Sequence, residues 1–106
     1  MQSKEEYGPV GSRILFENEL VRVWEVSVEP GEQLPLHHHA LPYLVVTIEP
    51  THVRVIEHDG QIYEPTDNPG SIIFRESGQI HELHNLSTKR YVNRVIEIKQ
   101  PNKEAS

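Results

Sequence analysis

The sequence predicts an all-β, single-domain fold of the sandwich, jelly-roll or barrel kind, on three observations. β-branched and aromatic residues recur in short runs of alternating polarity, the period of a half-buried strand. Gly, Pro, Asn and Asp bound those runs at regular intervals, as turns between short strands require. No long stretch repeats its apolar residues at the helical period, so no long helix is expected. The 106 residues suffice for one modest core and are too few for two. Residues 13–99 are expected to form the domain, with loosely ordered tails at 1–12 and 100–106.

The expected elements follow in order. RILFEN opens as a short strand from Arg13. LVRVWEVSV, Leu20 to Val28, is a second strand with Val21, Val23 and Glu25 on one face and Arg22, Trp24, Val26 and Val28 on the other. Apolar residues on both faces are the pattern of packed double sheets. EPG at 29–31 is a turn, and Pro35 keeps the approach to His37 extended. YLVVTI and HVRVIEH follow, separated by EPT, and Asp59-Gly60 signals a hairpin into QIYEP. The turn TDNPG leads to SIIFRE, SGQ leads to IHELHN, and LSTK precedes YVNRVIEIK. That gives about eight strands.

Composition excludes several functions. The formal net charge is -6 and the ten Lys and Arg residues are scattered, so no basic stripe exists to neutralise a nucleic-acid backbone. No apolar run is long enough to span a bilayer, so a soluble protein with no membrane role is expected. The chain has no cysteine, which removes disulfides, thiolate metal sites and cysteine nucleophiles. MQSKEEYGPVGSR carries no apolar leader segment, and the cytoplasm is the expected location.

The residues that can carry chemistry are histidines. His37 and His39 are two apart and project to one face of an extended strand, while His38 points the other way. Two imidazoles so placed can chelate one cation, and a third ligand has to come from another strand. GQIHELHN offers His81 and His84, whose separation of three puts them on opposite faces, so only one can join. The plainer alternative is a polar surface loop holding a histidine run. His52, His58 and His84 are expected at solvent or in ordinary hydrogen bonds.

Gly31, five residues, then His37-His38-His39 opens one motif. Gly70, five residues, Glu76-Ser77-Gly78, two residues, His81, three residues and Asn85 form a second, with Glu76 where proline is usual. In order and spacing the pair resembles the two motifs of the cupin superfamily, over roughly Val21 to Ile98. The resemblance implies a small single-domain jelly-roll β-barrel, a metal in its open end held by His37, His39 and His81, and a homodimer. The chain departs from the pattern where the family usually has a glutamate ligand, here Tyr43, and where a glycine closes the first motif, here Pro50. It looks most like short members with a tyrosine at that place, including a group associated with β-alanine breakdown.

A site of three imidazoles is neutral apart from its ion, so one divalent cation would keep its double charge and open positions for anionic, oxygen-chelating ligands. Fe, Ni, Zn, Cu and Mn all suit such ligation. Tyr43 is expected beside the ligands, donating its phenol proton to a bound oxygen, or else as a packing residue. Arg22, Arg75 and Arg94 are candidates to orient a carboxylate, and Arg75 shares the face of Ser71 and Ile73. Asn85 reads as a turn-stabilising residue; Trp24, Phe74 and Tyr91 read as core or interface aromatics. Tyr43, Glu82 and a metal-bound hydroxide are the visible candidates for a general base. The expected function is metal-dependent catalysis on a small oxygen-rich organic acid or diketone-like substrate, by dioxygenation, isomerisation or decarboxylation. The alternative is a non-catalytic barrel that binds or senses a small molecule.

Overall fold

In a computed structural model, which describes residues 7–99, the chain forms two antiparallel sheets packed face to face as a jelly roll. Nine strands are present and no helix occurs among the described residues: β1 (Arg13–Glu17), β2 (Val21–Val28), β3 (Gln33–His38), β4 (Tyr43–Glu49), β5 (Val53–Glu57), β6 (Ile62–Tyr63), β7 (Ile72–Arg75), β8 (Ile80–Asn85) and β9 (Tyr91–Ile98). The five-stranded sheet runs β1-β2-β9-β4-β7 and the four-stranded sheet β3-β8-β5-β6. The strand absent from the sequence expectation is β3, because Pro35 and the preceding turn residues mask its alternation.

Alternation decides what each strand buries. Val26 and Val28 of β2 face Leu34, Val53, Val95, Tyr43 and Tyr91 in the core, with Trp24 packed against them. Each such aliphatic side chain contributes about 1.5–3 kcal/mol on burial. The opposite face of β2 carries Val21, Val23 and Glu25 outward, as the sequence pattern requires. Glu97 is buried at the end of β9, where its Oε1 accepts from Arg22 Nε and Trp24 Nε1, each at 2.7 Å.

Part of the expected N-terminal tail belongs to the packed body. Gly8 N donates to Leu36 O at 2.9 Å, and Val10 is buried. Gly11 lies so close to β2 that a Cβ there would sit 2.8 Å from Trp24 Cβ, a contact only glycine avoids. Residues 1–6 and 100–106 of the expected tails lie outside the described residues.

One irregularity positions the site. Leu34 pairs with Leu83, whereas His37 pairs with His81, so β3 carries one residue more than β8 over this stretch. Pro35 has no N–H to offer the ladder, and a bulge at Pro35-Leu36 absorbs the extra residue. Leu34 and His37 would face opposite ways on a regular strand; with the bulge both are buried.

Candidate metal centre

His37 and His39 are both 2% exposed and point between the sheets. His81 joins them from β8, directly across the ladder from His37. His39 lies just past β3, yet its backbone still bonds to the β7–β8 turn: His39 N donates to Gln79 O at 2.8 Å and Gly78 N to His39 O at 2.7 Å. Gly78 holds φ 111° in that turn, a conformation that other residues rarely take. One nitrogen from each ring lies within 4.8 Å of those of the other two. His38 points outward against the Tyr7 ring, with 5.9 Å between centroids.

Hydrogen bonds assign the nitrogens. His37 Nδ1 donates to Pro35 O at 2.8 Å, and His81 Nδ1 donates to Glu57 Oε2 at 3.1 Å. Both rings therefore turn their Nε2 lone pairs toward the cluster. His39 Nε2 lies 3.2 Å from His81 Nε2, while His39 Nδ1 is buried without a partner. Two nitrogens each about 2.05 Å from one ion are separated by about 2.9 Å at a right angle and about 3.3 Å at the tetrahedral angle. The separation of this pair falls in that interval, so His39 and His81 suit a common divalent cation, and a His37 nitrogen lies within 4.8 Å of both. Burial drives the imidazoles toward the neutral, ligating form. Desolvation, partly opposed by the Pro35 hydrogen bond, lowers the pKa of His37 to about 4; desolvation reinforced by the neighbouring His37 and His81 rings lowers that of His39 to about 2.

The three histidines line a cavity of about 80 Å³ walled by side chains such as Val26, Val45 and Leu83. Tyr43 is buried beside them, its ring stacked on His39 at 3.9 Å and 12°. Its phenol donates to Gln79 Oε1, so the proton expected for a bound oxygen is already engaged. Burial raises the pKa of that phenol further, against the pull of Arg75. Glu82 is excluded as a base inside the cavity: it sits on the outer face of β8, where His84 Nε2 approaches its Oε1 at 2.8 Å. His52 pairs with Glu64 at the surface. Asn85 is structural, its Nδ2 donating to Val28 O and Lys89 O while its Oδ1 accepts from Thr51 Oγ1 and Ser87 N.

Of the three arginine candidates, only Arg75 lines the cavity. Arg22 is held by Glu97, and Arg94 lies 3.6 Å from Glu25 on the outer face. Sequence reasoning missed Glu57, Gln79, Tyr63 and Asp67. Glu57 shares the inward parity of Val53 and Val55, a signal the sequence did contain. Its place opposite His81 depends on the β5–β8 register, which the sequence does not show. Tyr63 donates to Glu57 Oε2 at 2.7 Å, and burial with that bond raises its pKa to about 12. Asn93 Oδ1, also bordering the cavity, is buried without a partner.

Comparison with known proteins places the architecture. No family model matches the chain, and no curated protein matches it. Among solved structures, a cupin domain from Bordetella pertussis Tohama I superposes with a TM-score of 0.79 at 26% identity, over 92% of this chain and 100% of that one. An RmlC-like cupin family protein with a double-stranded β-helix fold from Methanocaldococcus jannaschii gives 0.66 at 16%, over 100% and 99%. The polyketide cyclase RemF from Streptomyces resistomycificus gives 0.61 at 20%, over 78% of this chain and 57% of its own, a likeness of fold alone.

Proposed function

We propose that this chain, whose fold is that of the cupin superfamily, is a metal-dependent enzyme acting on a small oxygen-rich organic acid or diketone. The observation that carries the reading is the convergence of three imidazole nitrogens, from β3, the residue after it and β8, in an apolar cavity, with two rings fixed by hydrogen bonds behind them. His37, His39 and His81 would hold the cation. Bound there, a divalent ion of Fe, Ni, Zn, Cu or Mn supplies Lewis acidity and an attachment point for substrate oxygen. Glu57 holds the His81 ring and makes it more basic, as carboxylates behind metal-bound histidines do. Tyr43 covers one face of His39 and, with its proton on Gln79, presents a hydroxyl oxygen that accepts rather than donates. The apolar walls limit water around the reacting oxygen atoms.

Elemental analysis tests the reading. Purified protein, or protein reconstituted near neutral pH, should carry about one divalent ion per chain, and His81→Ala should lose it. Substoichiometric metal in both preparations, with no further loss in the variant, would overturn it. A non-catalytic binding barrel would retain metal and bind organic acids without turning any over.

The outer face of the five-stranded sheet supports self-association as part of the same reading. Phe16, Val23, Ile96, Leu44 and Phe74 stand opposite one another on successive strands, an apolar row across all five. Phe16 and Phe74 are 54% and 52% exposed. The row beside it carries Arg13, Glu25 and Arg94, which pair at 2.8 and 3.6 Å. Both charge signs beside one apolar row make the face complementary to itself across a two-fold axis, so the proposed occupant is a second copy of the chain.

A further inference from the structure

The chain has six arginines. Five of them, Arg13, Arg22, Arg54, Arg90 and Arg94, lie within ion-pair distance of a glutamate. Arg75 has no such partner among the described residues, and it is the one that lines the histidine cavity. It stands across the β4–β7 ladder from Tyr43, on the inner face, and with Tyr63 it also borders the wider mouth formed with Glu57 and Gln79. Its charge is felt by both phenols, opposing the rise of their pKa values. Every other guanidinium is neutralised at the surface or at the sheet end, whereas this one is left facing the opening through which a ligand would reach the histidines.

The remaining cavity charge does not cancel it. Asp67 borders the cavity near Tyr91, whose phenol its charge pushes up. Tyr91 lies six residues along β9 from Glu97, the residue level with Tyr43 and Arg75. At about 3.4 Å per residue that is about 20 Å. Glu57 and Asp59 share the mouth with Arg75, but Glu57 Oε2 already accepts from Tyr63 and His81, and Asp59 Oδ1 accepts from Gln61 N at 3.0 Å. Arg75 is the one cationic side chain at that mouth among the described residues, and both carboxylates beside it already accept hydrogen bonds.

Resting on the metal-centre reading above, we propose that Arg75 receives the carboxylate of a short-chain oxo- or hydroxy-acid while a second oxygen of the same molecule faces His37, His39 and His81. A guanidinium meets a carboxylate through two parallel N–H···O bonds, which fixes the direction of the acid as well as its charge. The narrow cavity, about 80 Å³, favours a short acid over a long one. Ile73 and Val45, next along the same faces of β7 and β4, provide the apolar wall for its carbon chain.

The test is a matched pair of probes, 3-oxobutanoate and pentane-2,4-dione, which have the same number of non-hydrogen atoms and differ in the carboxylate. Isothermal titration is run on zinc-loaded and chelator-treated protein. Wild type should bind the acid more tightly than the dione. Arg75→Gln should weaken the acid on the order of 10- to 100-fold and leave the dione unchanged, and Arg75→Lys should recover part of the loss. An acid affinity unaltered in Arg75→Gln, equal loss for both probes, or no preference for the acid in wild type would each overturn the proposal. The metal reading fails separately: acid binding that depends on Arg75 but is the same with and without zinc, and in His81→Ala, would sustain the arginine site and remove the metal centre.

Discussion

Acid should unfold the metal-free protein through its buried histidines. In the folded chain His37 titrates at about 4, against an ordinary value of 6.5, chiefly because burial disfavours the charged ring. Between those values the unfolded chain binds a proton that the folded chain refuses, so folding stability falls as pH drops through this window, and the His37 contribution is fully present above it. At about 1.4 kcal/mol per pH unit, the interval corresponds to about 3 kcal/mol for His37 alone. That is a large part of the 5–15 kcal/mol typical of a domain. Exposed carboxylates held low by cationic partners, such as Glu25 by Arg13, also lose stabilisation as pH drops. They are isolated by comparison with His37→Gln, which is neutral throughout. Urea unfolding followed by Trp24 fluorescence, in chelator, at steps from pH 7 to pH 4, gives the stability of each protein. Wild type should lose about 3 kcal/mol more than His37→Gln over that range, whatever offset separates them at pH 7. Parallel pH profiles would refute the reasoning, because they would mean that the ring is solvated in the folded protein.

Three other outcomes are expected. Glu57→Gln should leave the fold intact and reduce zinc affinity about 10- to 100-fold in a competition titration, because the support behind His81 Nδ1 weakens. Tyr43→Phe should keep its metal and lose about 1 kcal/mol of stability with the Gln79 hydrogen bond, whereas Tyr43→Glu should tighten the cation and weaken anionic ligands. Wild type should be a dimer by light scattering at micromolar concentration and Phe74→Lys a monomer with unchanged circular dichroism; a monomeric wild type would remove the apolar row as an interface.

What the sequence made legible follows from the range of the interactions involved. Alternation is local, so the inward pairing of His37 with His39 and the separation of His81 from His84 were readable two and three residues at a time. The split faces of β2 were readable for the same reason. Pairing register is not local. Glu57 meets His81 across 24 residues of chain, and nothing in VRVIE announces that its last residue will stand behind an imidazole. Arg75 had a known parity but no known face until β7 was seen beside β4. Val10 reads as tail in the sequence because its burial depends on β2 and β3 already being in place.

The bulge at Pro35-Leu36 gives the histidine triplet a reading frame. Read without the extra residue, Leu34, Leu36 and His38 would face inward, and the cavity would exchange two imidazoles for one. Deleting Leu36 restores ordinary alternation from Leu34 and leaves His37 and His39 facing in. Pro35→Val keeps the length but returns an N–H to the ladder, and so favours the other frame. Metal content after each change should follow the frame rather than the number of histidines, which is three in every case. On this reasoning, the number of imidazoles facing the cavity would depend on Pro35, a residue that is itself exposed.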